Sequence, residues 1–453
     1  MATLKKNILY ILSCITIALL LGVNANVAMA HQGHNHSHGD GHNHGHNHSH
    51  GDGHNHHGIK KNPQKVQGKT PITSARPNAH KKGHDTHAHD DVHGEKDGPD
   101  IGTMIMHHIT DAHEFHVAGD FSIPLPCIVY SQEKGFDFFL TNKFHHGHNA
   151  YHGYMLEHGV LKSIEPAKDG SPFPKDYTGE IHLKGHDEDA HVTLNGKSYP
   201  IKGSSNLLSS GSFYDFSITK VVFTMLVTAL IMLFLFPSIA KAYSRNEVPS
   251  GKQSFFEPII EFVRDDIAKP SLGEHKYKPY MPYLLTVFFF IWITNMLGLV
   301  PFFPGSGNAT GNIAVTLTLS VFTFLIVTFS GNKNYWGHIF NPPGVPMGIK
   351  PIMILIEFLS MFIKPFALML RLFANITAGH IIILSFVGLI FIAAHLAGTA
   401  GGFAASILSG AFMLFMNVLE LFVAALQAYV FTVLSAVFIG QAIEEHHHEE
   451  AHH

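Results

Sequence analysis

The sequence predicts an all-α polytopic membrane protein that is preceded by a disordered His-rich segment and a small β-rich extracytoplasmic domain. Hydrophobic residues make up 46% of the 453-residue chain but charged residues only 14%, against about 25% charged in soluble globular proteins. Long uncharged stretches fill the second half, whereas 29 of the 38 histidines lie between His31 and His191. Two regions in different solvents are therefore expected.

The overall charge and the cysteine content exclude some classes of function. A net charge of −4 gives no basic surface of the kind that a nucleic-acid-binding protein needs, so no nucleic-acid partner is expected. The two cysteines, Cys14 and Cys127, are too few for a disulfide framework or a cysteine metal site.

Residues 1–30 are typical of a secretory signal peptide. Lys5 and Lys6 precede an apolar run, and small residues near Ala30 suit a cleavage site. A lipoprotein signal that uses Cys14 and a retained membrane anchor are the alternatives. A signal of either kind places the residues that follow it outside the cytoplasm.

Residues 31–100 form the predicted disordered segment, because its Gly, Asn, Asp and Ser cannot bury enough apolar surface to fold. Residues 33–56 consist of the unit GHNHSHGDGHNH repeated in tandem. Dense imidazoles suit zinc or nickel, and two interpretations stay open: a metal buffer outside the membrane, or a solvated segment without a metal role. No other cofactor is expected. The candidate metal ligands are His34, His36, His38, His42, His44, His46, His48, His50, His54 and His56.

Residues 101–212 have a globular composition and form the predicted β-rich domain. Apolar and polar residues alternate over 136–140, and Asn195-Gly196 lies between two short β-prone runs. That dipeptide predicts a hairpin with a type I′ turn. The scattered histidines of this domain could bind a metal or could be ordinary polar surface residues.

Residues 213–443 form the predicted membrane domain. A membrane span needs about 20 mainly apolar residues, and segments 221–240, 281–300 and 313–329 approach or meet that length. Residues 255–268 instead separate apolar side chains from charged ones, which predicts an amphipathic helix on the membrane surface. Its apolar stripe consists of Phe255, Ile259, Phe262, Val263 and Ile267.

Residues 351–443 contain two further apolar segments, with a break at 398–402. Segments of about 45 and 40 residues would extend roughly 60–70 Å, about twice the thickness of the hydrocarbon core, so they must tilt steeply or fold back. Basic residues cluster in 241–278 and 333–350, which predicts five passages with a cytoplasmic C-terminus. Residues 444–453 form the predicted cytoplasmic tail.

Two polar stripes follow the last two segments at helical spacing. An Arg inside an apolar segment is tolerated only where it faces protein or water, and it stays charged at any accessible pH. A buried polar network between helices is one interpretation, whereas an unmatched Arg beside titratable groups such as His380 favours a proton path. The stripes are Glu357, Ser360, Lys364, Arg371 and Asn375 on the first segment, and Asn417, Glu420 and Gln427 on the second.

The segment from Glu357 to His380, with its Leu-Arg371-Leu-Phe-Ala-Asn375 core, closely resembles the signature of subunit a of the F-type ATP synthases. Leu426-Gln427-Ala-Tyr is similar to that family's last-helix motif, and Asn295-Met-Leu-Gly298 to an earlier one. The resemblance covers roughly residues 213–443.

The resemblance implies a stator subunit that wraps a rotating ring of c subunits in a bacterial inner membrane. It implies partnership with the c-ring, the b subunit and the rest of the ATP synthase, with lipid, and with protons as the cargo. The subunit would not be catalytic alone. Arg371 would face the ring carboxylate and separate two proton half-channels, which Glu357, Asn375, His380, Glu420 and Gln427 would help to form.

This sequence departs from the family pattern at three positions. It carries His380 where many bacterial members have Glu, and Glu420 where they have His. The exchange preserves one acid and one imidazole, which suggests a coupled pair. Gly298 stands where some members have Asp, so no acidic role is expected there.

Two rival functions belong to other classes. A zinc or nickel transporter would explain the His-rich segment, but a fixed Arg in the membrane would repel a divalent cation. A metal-storage module on an inert anchor would leave Arg371 without explanation. The sequence leaves H⁺ or Na⁺ coupling open.

Overall fold

The computed structural model describes residues 101–102, 105, 109–118, 121–132, 134–185, 190–205, 211–243, 251–300, 307–342 and 344–444. The predicted signal peptide, the His-rich repeat with its candidate metal ligands, and residues 445–453 of the predicted tail lie outside these residues.

The N-terminal part of the described chain is β-rich, as predicted. Its strands pair antiparallel in sheets of the order β1-β2, β8-β5-β6-β7-β11-β10-β9 and β12-β3-β4. The third sheet includes β12, which lies beyond the boundary that the sequence suggested at residue 212. The strands are β1 (Glu114–Ala118), β2 (Phe121–Pro124), β3 (Pro126–Ser131), β4 (Gly135–Leu140), β5 (Asn149–Tyr151), β6 (Tyr154–Glu157), β7 (Val160–Ile164), β8 (Thr178–Glu180), β9 (His182–Lys184), β10 (His191–Leu194), β11 (Lys197–Lys202) and β12 (Tyr214–Asp215).

Three of the hairpins use two-residue turns with positive φ at both positions. The predicted turn at Asn195-Gly196 is confirmed, with φ of 52° and 79° between the paired residues Leu194 and Lys197. His152-Gly153 joins β5 to β6 and His158-Gly159 joins β6 to β7, and both histidines have positive φ. A type I′ turn needs φ above zero at both central residues. These two histidines therefore take turn positions that Asn or Asp more often fills.

A buried ion pair lies within the β domain, close to the start of the first membrane helix. Nε2 of His113 lies 3.0 Å from Oδ2 of Asp215, and its Nδ1 lies 3.1 Å from the carbonyl oxygen of Gly159. Both partners are acceptors, so both ring nitrogens must carry a proton and the imidazole is a cation. Burial by itself lowers the pKa of His113, but the charge and hydrogen bond of Asp215 raise it by more.

The residues just before His113 form hydrogen bonds to the first turn of this helix. Backbone N–H groups of Lys220 and Val221 donate to the Ala112 carbonyl and to the Asp111 carboxylate, at 2.9 and 3.1 Å. The first N–H groups of a helix have no partner within it. Residues 111–112 therefore satisfy these groups from the β domain.

Replacing His113 with Ala is expected to destabilise the β domain by about 3–5 kcal/mol, because Asp215 would keep a buried charge without a partner. Unfolding of the domain within the full chain, followed by hydrogen exchange, measures the loss. His182→Ala is the control, since His182 is exposed on β9. An equal, small effect of both substitutions would contradict the ion pair.

The stabilisation from this pair has a defined pH window. Burial raises the pKa of Asp215, but His113 lowers it by more, so the net shift is downward. The raised pKa of His113 stabilises the fold fully below its ordinary value of 6.5, and this contribution is lost as pH rises through the raised pKa. The contribution of Asp215 is lost as pH falls below 3.8 through its lowered pKa. The ion pair therefore stabilises the fold most between pH 3.8 and pH 6.5, the ordinary pKa values of the two groups.

The rest of the described chain is helical. Four helices are long and apolar enough to cross a membrane, namely α1, α4, α5 and α7, which matches the predicted polytopic membrane domain. A short π-helical stretch, Val263–Ala268, joins α2 to α3. The helices are α1 (Lys220–Tyr243), α2 (Lys252–Phe262), α3 (Lys269–Leu272), α4 (Met281–Leu299), α5 (Ile313–Ser330), α6 (Lys333–Phe340) and α7 (Lys350–Ile443).

Helix α7 is two long arms joined at a sharp break. Ala397 has φ −122° and ψ 15°, and Gly398 has φ 67° and ψ −164°, so neither is helical. The positive φ at 398 suits glycine. The rings of Phe386 and Phe412 stack at 5.2 Å across the break, so the arms run antiparallel. The predicted break at 398–402 is confirmed at its first residue, and each overlong segment forms one long arm.

The predicted amphipathic helix forms, and part of its apolar stripe is buried within the protein. Val263 and Ile267 are fully buried against the membrane helices, as predicted. Phe255 is 61% exposed and Phe262 is 37% exposed, whereas Phe256 packs against the buried cluster. Phe255 and Phe262 thus stay exposed, as expected of apolar side chains on a helix that lies on a membrane surface.

Candidate functional site

The fold-back of α7 brings two titratable side chains close to each other. His380 lies on the first arm and Glu420 on the second, and Nδ1 of the histidine is 3.7 Å from Oε1 of the glutamate. This distance is longer than a hydrogen bond. The two groups are therefore electrostatic neighbours, close enough for a small movement or one intervening molecule to connect them.

The carboxylate of Glu420 is buried without a fixed hydrogen-bond partner. The residue is 3% exposed, and neither carboxylate oxygen has a hydrogen-bond partner among the described residues. A buried charge is costly unless it is paired and hydrogen-bonded. A carboxylate held in this way is suited to exchanging a proton, and less suited to fixing two helices together.

Gly379 makes room for this carboxylate. A Cβ atom at position 379 would lie 2.8 Å from Oε1 of Glu420, closer than side-chain atoms pack. The absence of a side chain on the first arm therefore allows the glutamate of the second arm to lie beside His380.

A small cavity of about 10 Å³ opens next to the pair, close to the smallest volume that holds one water molecule. Its walls come from the C-terminal end of α4, from residues 307–310 before α5, and from both arms of α7. Asn308 has Oδ1 fixed by the N–H of Gly311 at 2.8 Å, so its Nδ2 is the atom left as a donor. That nitrogen is buried and has no hydrogen-bond partner among the described residues. The polar lining residues are Thr294, Asn295, Asn308, Thr310, His380 and Glu420.

Asn295 ties the walls of the cavity together. Its Nδ2 donates to the carbonyl of Ala424 on α7 at 3.2 Å, and its Oδ1 accepts from the hydroxyl of Thr310 at 2.5 Å. The neighbouring Thr294 donates to Thr228 of α1 at 3.2 Å. These bonds hold α1, α4, the segment before α5 and the second arm of α7 around one polar site.

The predicted stripe on the second arm is only partly inside the bundle. Gln427 is 3% exposed, like Glu420 two turns earlier. Asn417 is exposed, and its amide donates to the carbonyl of Met413 one turn back. Asn417 therefore lies outside the buried site and satisfies its amide on its own helix.

The predicted stripe on the first arm also divides. Glu357 and Lys364 are half-buried, and Nζ of Lys364 donates to Oε1 of Gln441 at 2.9 Å. Arg371 and Asn375 lie on the exposed surface of the chain. Within the described part of the chain, the guanidinium of Arg371 meets no hydrogen-bond or ion-pair partner. The structure thus brings His380 and Glu420 together but leaves Arg371 facing outward, about 13 Å along the helix from His380.

Comparison with known proteins identifies the family. The sequence profile described as ATP synthase A chain matches residues 222–440, which contain the cavity, the His380–Glu420 pair and Arg371. ATP synthase subunit a 2 of Chlorobaculum tepidum is 44% identical over 309 residues, which are 66% of this chain and 75% of that protein. This chain belongs to the ATP synthase subunit a family.

Other subunit a proteins are similar over more than half of the chain. ATP synthase subunit a of Chloroherpeton thalassium is 43% identical, over 53% of this chain and 71% of that protein. ATP synthase subunit a 2 of Chlorobium luteolum is 41% identical, over 64% of this chain and 85% of that protein. The family assignment confirms the resemblance on which the sequence prediction rested.

A second profile matches the β domain. It is described as Domain of unknown function (DUF8433) and covers residues 104–184. The β domain thus has a family of its own, next to the subunit a family that covers the membrane helices.

Several histidines of the β domain have a structural role in the fold. Among the described residues, no group of three or more His, Cys, Asp or Glu side chains is placed to hold a metal ion. His113 forms the buried ion pair with Asp215, and His152 and His158 occupy turns.

Sequence reasoning missed several polar groups of the subunit a site. Thr228, Thr294, Thr310 and Asn308 lie in or next to apolar segments, where short polar side chains often bond to their own helix. Only the structure, which places them around the cavity, distinguishes these four residues from polar residues that bond to their own helix. The one available signal was the run of Gly, Asn and Thr at 305–311 between two spans.

Proposed function

We propose that this chain is the stator subunit a of the membrane Fo sector of an F-type ATP synthase, and that it couples proton flow across the membrane to ATP synthesis. Its partners are the ring of c subunits, the b subunit and the remaining subunits of the complex. It carries out no catalysis alone, because it supplies the path for protons while ATP is made elsewhere in the complex.

The observation that carries this proposal is the exposed Arg371. A fixed positive charge in the middle of an apolar helix is costly against lipid, by a few to more than ten kcal/mol. Large apolar side chains that are also exposed, such as Phe366 and Leu370, surround it on the first arm of α7. A protein surface with a carboxylate at the same depth would remove that cost. The carboxylate of a c-ring meets this requirement.

The buried site supports one of the two half-channels. Protons that reach the segment 307–310 meet the free donor of Asn308, then Glu420 and His380 around the cavity. From this pair they pass to the ring carboxylate, while Arg371 prevents a direct leak to the other side. Asn375, one turn from Arg371 on the same exposed surface, and buried Gln427 line the approach, and Glu357 belongs to the opposite half-channel.

The proposed topology has five passages in a bacterial inner membrane. Helices α1, α4 and α5 cross once each, and the two arms of α7 cross as steeply tilted helices. Basic residues lie before α4 and around α6, which supports a cytoplasmic C-terminus by the positive-inside rule. The N-terminus with residues 1–30 as a signal peptide, the His-rich segment and the β domain are then extracytoplasmic.

Purification of the tagged full chain from the membrane tests the proposal. We expect the c-ring, the b subunit and ATPase activity to accompany the chain. Reconstituted vesicles should take up protons when ATP is added, with or without zinc. Isolation of the chain alone, or zinc uptake without proton flux, would favour the transporter or storage functions instead.

The contact between Gly379 and Glu420 gives a second prediction. Gly379→Ala is expected to push the carboxylate of Glu420 away from His380 and to slow proton flux, since the new Cβ would lie 2.8 Å from Oε1. Gly410→Ala is the matched control on the same helix, because a Cβ there meets nothing within 4 Å. ATP-driven proton uptake by vesicles measures both. Equal rates for the two variants would show that Glu420 need not lie in its present position.

We further propose that the His repeat buffers zinc or nickel outside the membrane and has no part in coupling. Deletion of residues 33–56 is expected to remove high-capacity metal binding, because the repeat holds ten of the imidazoles. ATP synthesis at replete metal should be unchanged, because the repeat has no apolar residue with which to dock. Metal binding to the purified chains and synthesis by membranes measure the two effects. Failure of the complex to assemble without residues 33–56 would contradict this separation of roles.

A further inference from the structure

One face of the three-stranded sheet β12-β3-β4 is apolar and uncovered. Phe136 and Phe138 of β4 are 75% and 67% exposed, and Leu140, Tyr214 and Phe216 are also exposed. The other face of the same sheet is the core of the domain, where Cys127, Val129 and Phe139 are buried. Contiguous exposed apolar patches on a folded domain mark interaction sites.

The strand register arranges this face in three rows. Tyr130 pairs with both Tyr214 and Phe136, and the N–H groups of Phe216 and Ile218 donate to the carbonyls of Ile128 and Pro126. The last row lies next to α1, which begins two residues after Ile218. From the most distant row to the one nearest α1, the rows are Tyr214–Tyr130–Phe136, Phe216–Ile128–Phe138 and Ile218–Pro126–Leu140.

The rows change in polarity toward the membrane helix. The most distant row contains two tyrosines, whose hydroxyls need water or another polar partner. The middle row has two phenylalanines, and the row beside α1 has no hydroxyl and no aromatic ring. Tyr is enriched where a membrane meets water, with purely apolar side chains deeper. The order of the rows is that of a surface entering a bilayer from the polar side.

The face is also continuous with the membrane domain. Ile218, at its lower edge, packs against the buried cluster formed by the membrane helices. Phe115 of β1 contacts Phe223 in the first turn of α1, with ring centroids 5.4 Å apart, and the hydrogen bonds from the first turn of α1 to Asp111 and Ala112 fix the domain to the same helix. The face therefore cannot move far from the bilayer surface that α1 enters.

We propose that this face lies obliquely in the lipid headgroup region of the bilayer, on the side where α1 begins. The nine side chains carry no charge, and the three rows span about 13 Å at 3.3 Å per residue. The headgroup layer on each side of a bilayer is about 5–8 Å thick, so an inclined sheet places the lower two rows in lipid and the tyrosines at its outer limit. The β domain is thereby a membrane-supported platform for α1.

The test places a single tryptophan on the face in the assembled complex. The two native tryptophans are replaced, Trp292→Phe and Trp336→Phe, and Phe138→Trp is introduced. Ser198→Trp is the matched control, since Ser198 is an exposed residue on β11 of the seven-stranded sheet. The complexes are reconstituted in phosphatidylethanolamine–phosphatidylglycerol vesicles with and without bromine on the acyl chains. Retained ATP synthesis shows that each variant is folded and assembled.

We expect bromine near the headgroup end of the chains to quench the tryptophan at 138 and to leave the one at 198 unaffected. Emission at 138 that matches the water-exposed control would overturn the proposal. Blue-shifted emission at 138 that brominated lipid does not quench would overturn it as well, since the face would then be covered by another protein subunit.

Discussion

Replacing Arg371 with Ala is expected to abolish proton-driven ATP synthesis while leaving the chain in the membrane and the complex assembled. The helix that carries Arg371 is apolar, and removing a charge from it favours insertion. The variant is therefore expected to lose ATP synthesis and not folding, because no other described side chain can supply a fixed positive charge at this point of the exposed surface.

The reason lies in what the guanidinium does to the ring carboxylate. Arg371 cannot lose its proton, so it favours the ionised carboxylate as that group passes, and the proton must leave toward one half-channel. Without the charge, a proton could cross between half-channels without rotation. Arg371→Lys is expected to fail as well, since an ammonium group loses its proton more readily and lacks the planar, two-pronged geometry of the guanidinium.

Lys364→Met is the matched control for Arg371. Lys364 is another basic residue of the first arm, two turns before Arg371, and it already has an internal partner in Gln441. Synthesis by inverted membrane vesicles should persist in this variant, and passive proton leak should stay low. Coupled synthesis at the normal rate with a neutral residue 371 would contradict the proposed role of the arginine.

Substitution of either member of the His380–Glu420 pair is expected to slow proton flux severely, by roughly 10²-fold if the pair transfers protons directly. The two groups are 3.7 Å apart, so their titrations belong to the pair and not to either residue alone. Each proton that crosses yields about 2.3 kcal/mol per 100 mV, and that driving force is useful only while the path stays open.

The double exchange His380→Glu with Glu420→His separates a pair from two independent residues. It keeps one acid and one imidazole at the same contact and should recover part of the flux that His380→Ala and Glu420→Ala lose. Proton uptake driven by ATP hydrolysis is measured for the two single alanine variants, the double alanine variant and the double exchange. If the single losses are simply multiplied in the double alanine variant and the exchange rescues nothing, the two residues act separately.

Local patterns predicted much of this fold. The uncharged runs indicated α4 and α5 to within a few residues, since a membrane helix is defined by length and polarity alone. The Gly-Thr-Ala-Gly-Gly stretch at 398–402 marked the break in α7, and the structure uses its first glycine for the positive φ. The length of the two apolar segments required them to tilt steeply or to fold back, and the break between them brings the arm with His380 against the arm with Glu420.

Features that depend on long-range pairing or on irregular backbone could not be predicted from the sequence. The His113–Asp215 pair joins residues 102 positions apart, and no periodicity indicates such a partner. The sequence also showed no sign of the π-helical stretch that follows Phe262. The charge of Arg371 predicts that its stripe avoids lipid, but the proposed partner of that charge lies on another chain, so this sequence alone could not show which surface covers it.

A cross-link between this chain and the c-ring tests the central claim most directly. Ala374 is exposed three residues after Arg371, on the same side of the helix, and Ala374→Cys offers a thiol there. Burial raises the pKa of the Cys127 thiol to about 12, with a further contribution from Asp215, so this cysteine should not compete. Val321→Cys on the exposed surface of α5 is the control.

We expect Ala374→Cys to form a disulfide with a cysteine placed beside the ring carboxylate. That link should stop ATP synthesis until it is reduced, and Val321→Cys should form no such link. Absence of any link at 374 in an assembled complex, with labelling by lipid-soluble reagents equal to that at 321, would place Arg371 against lipid and contradict the account.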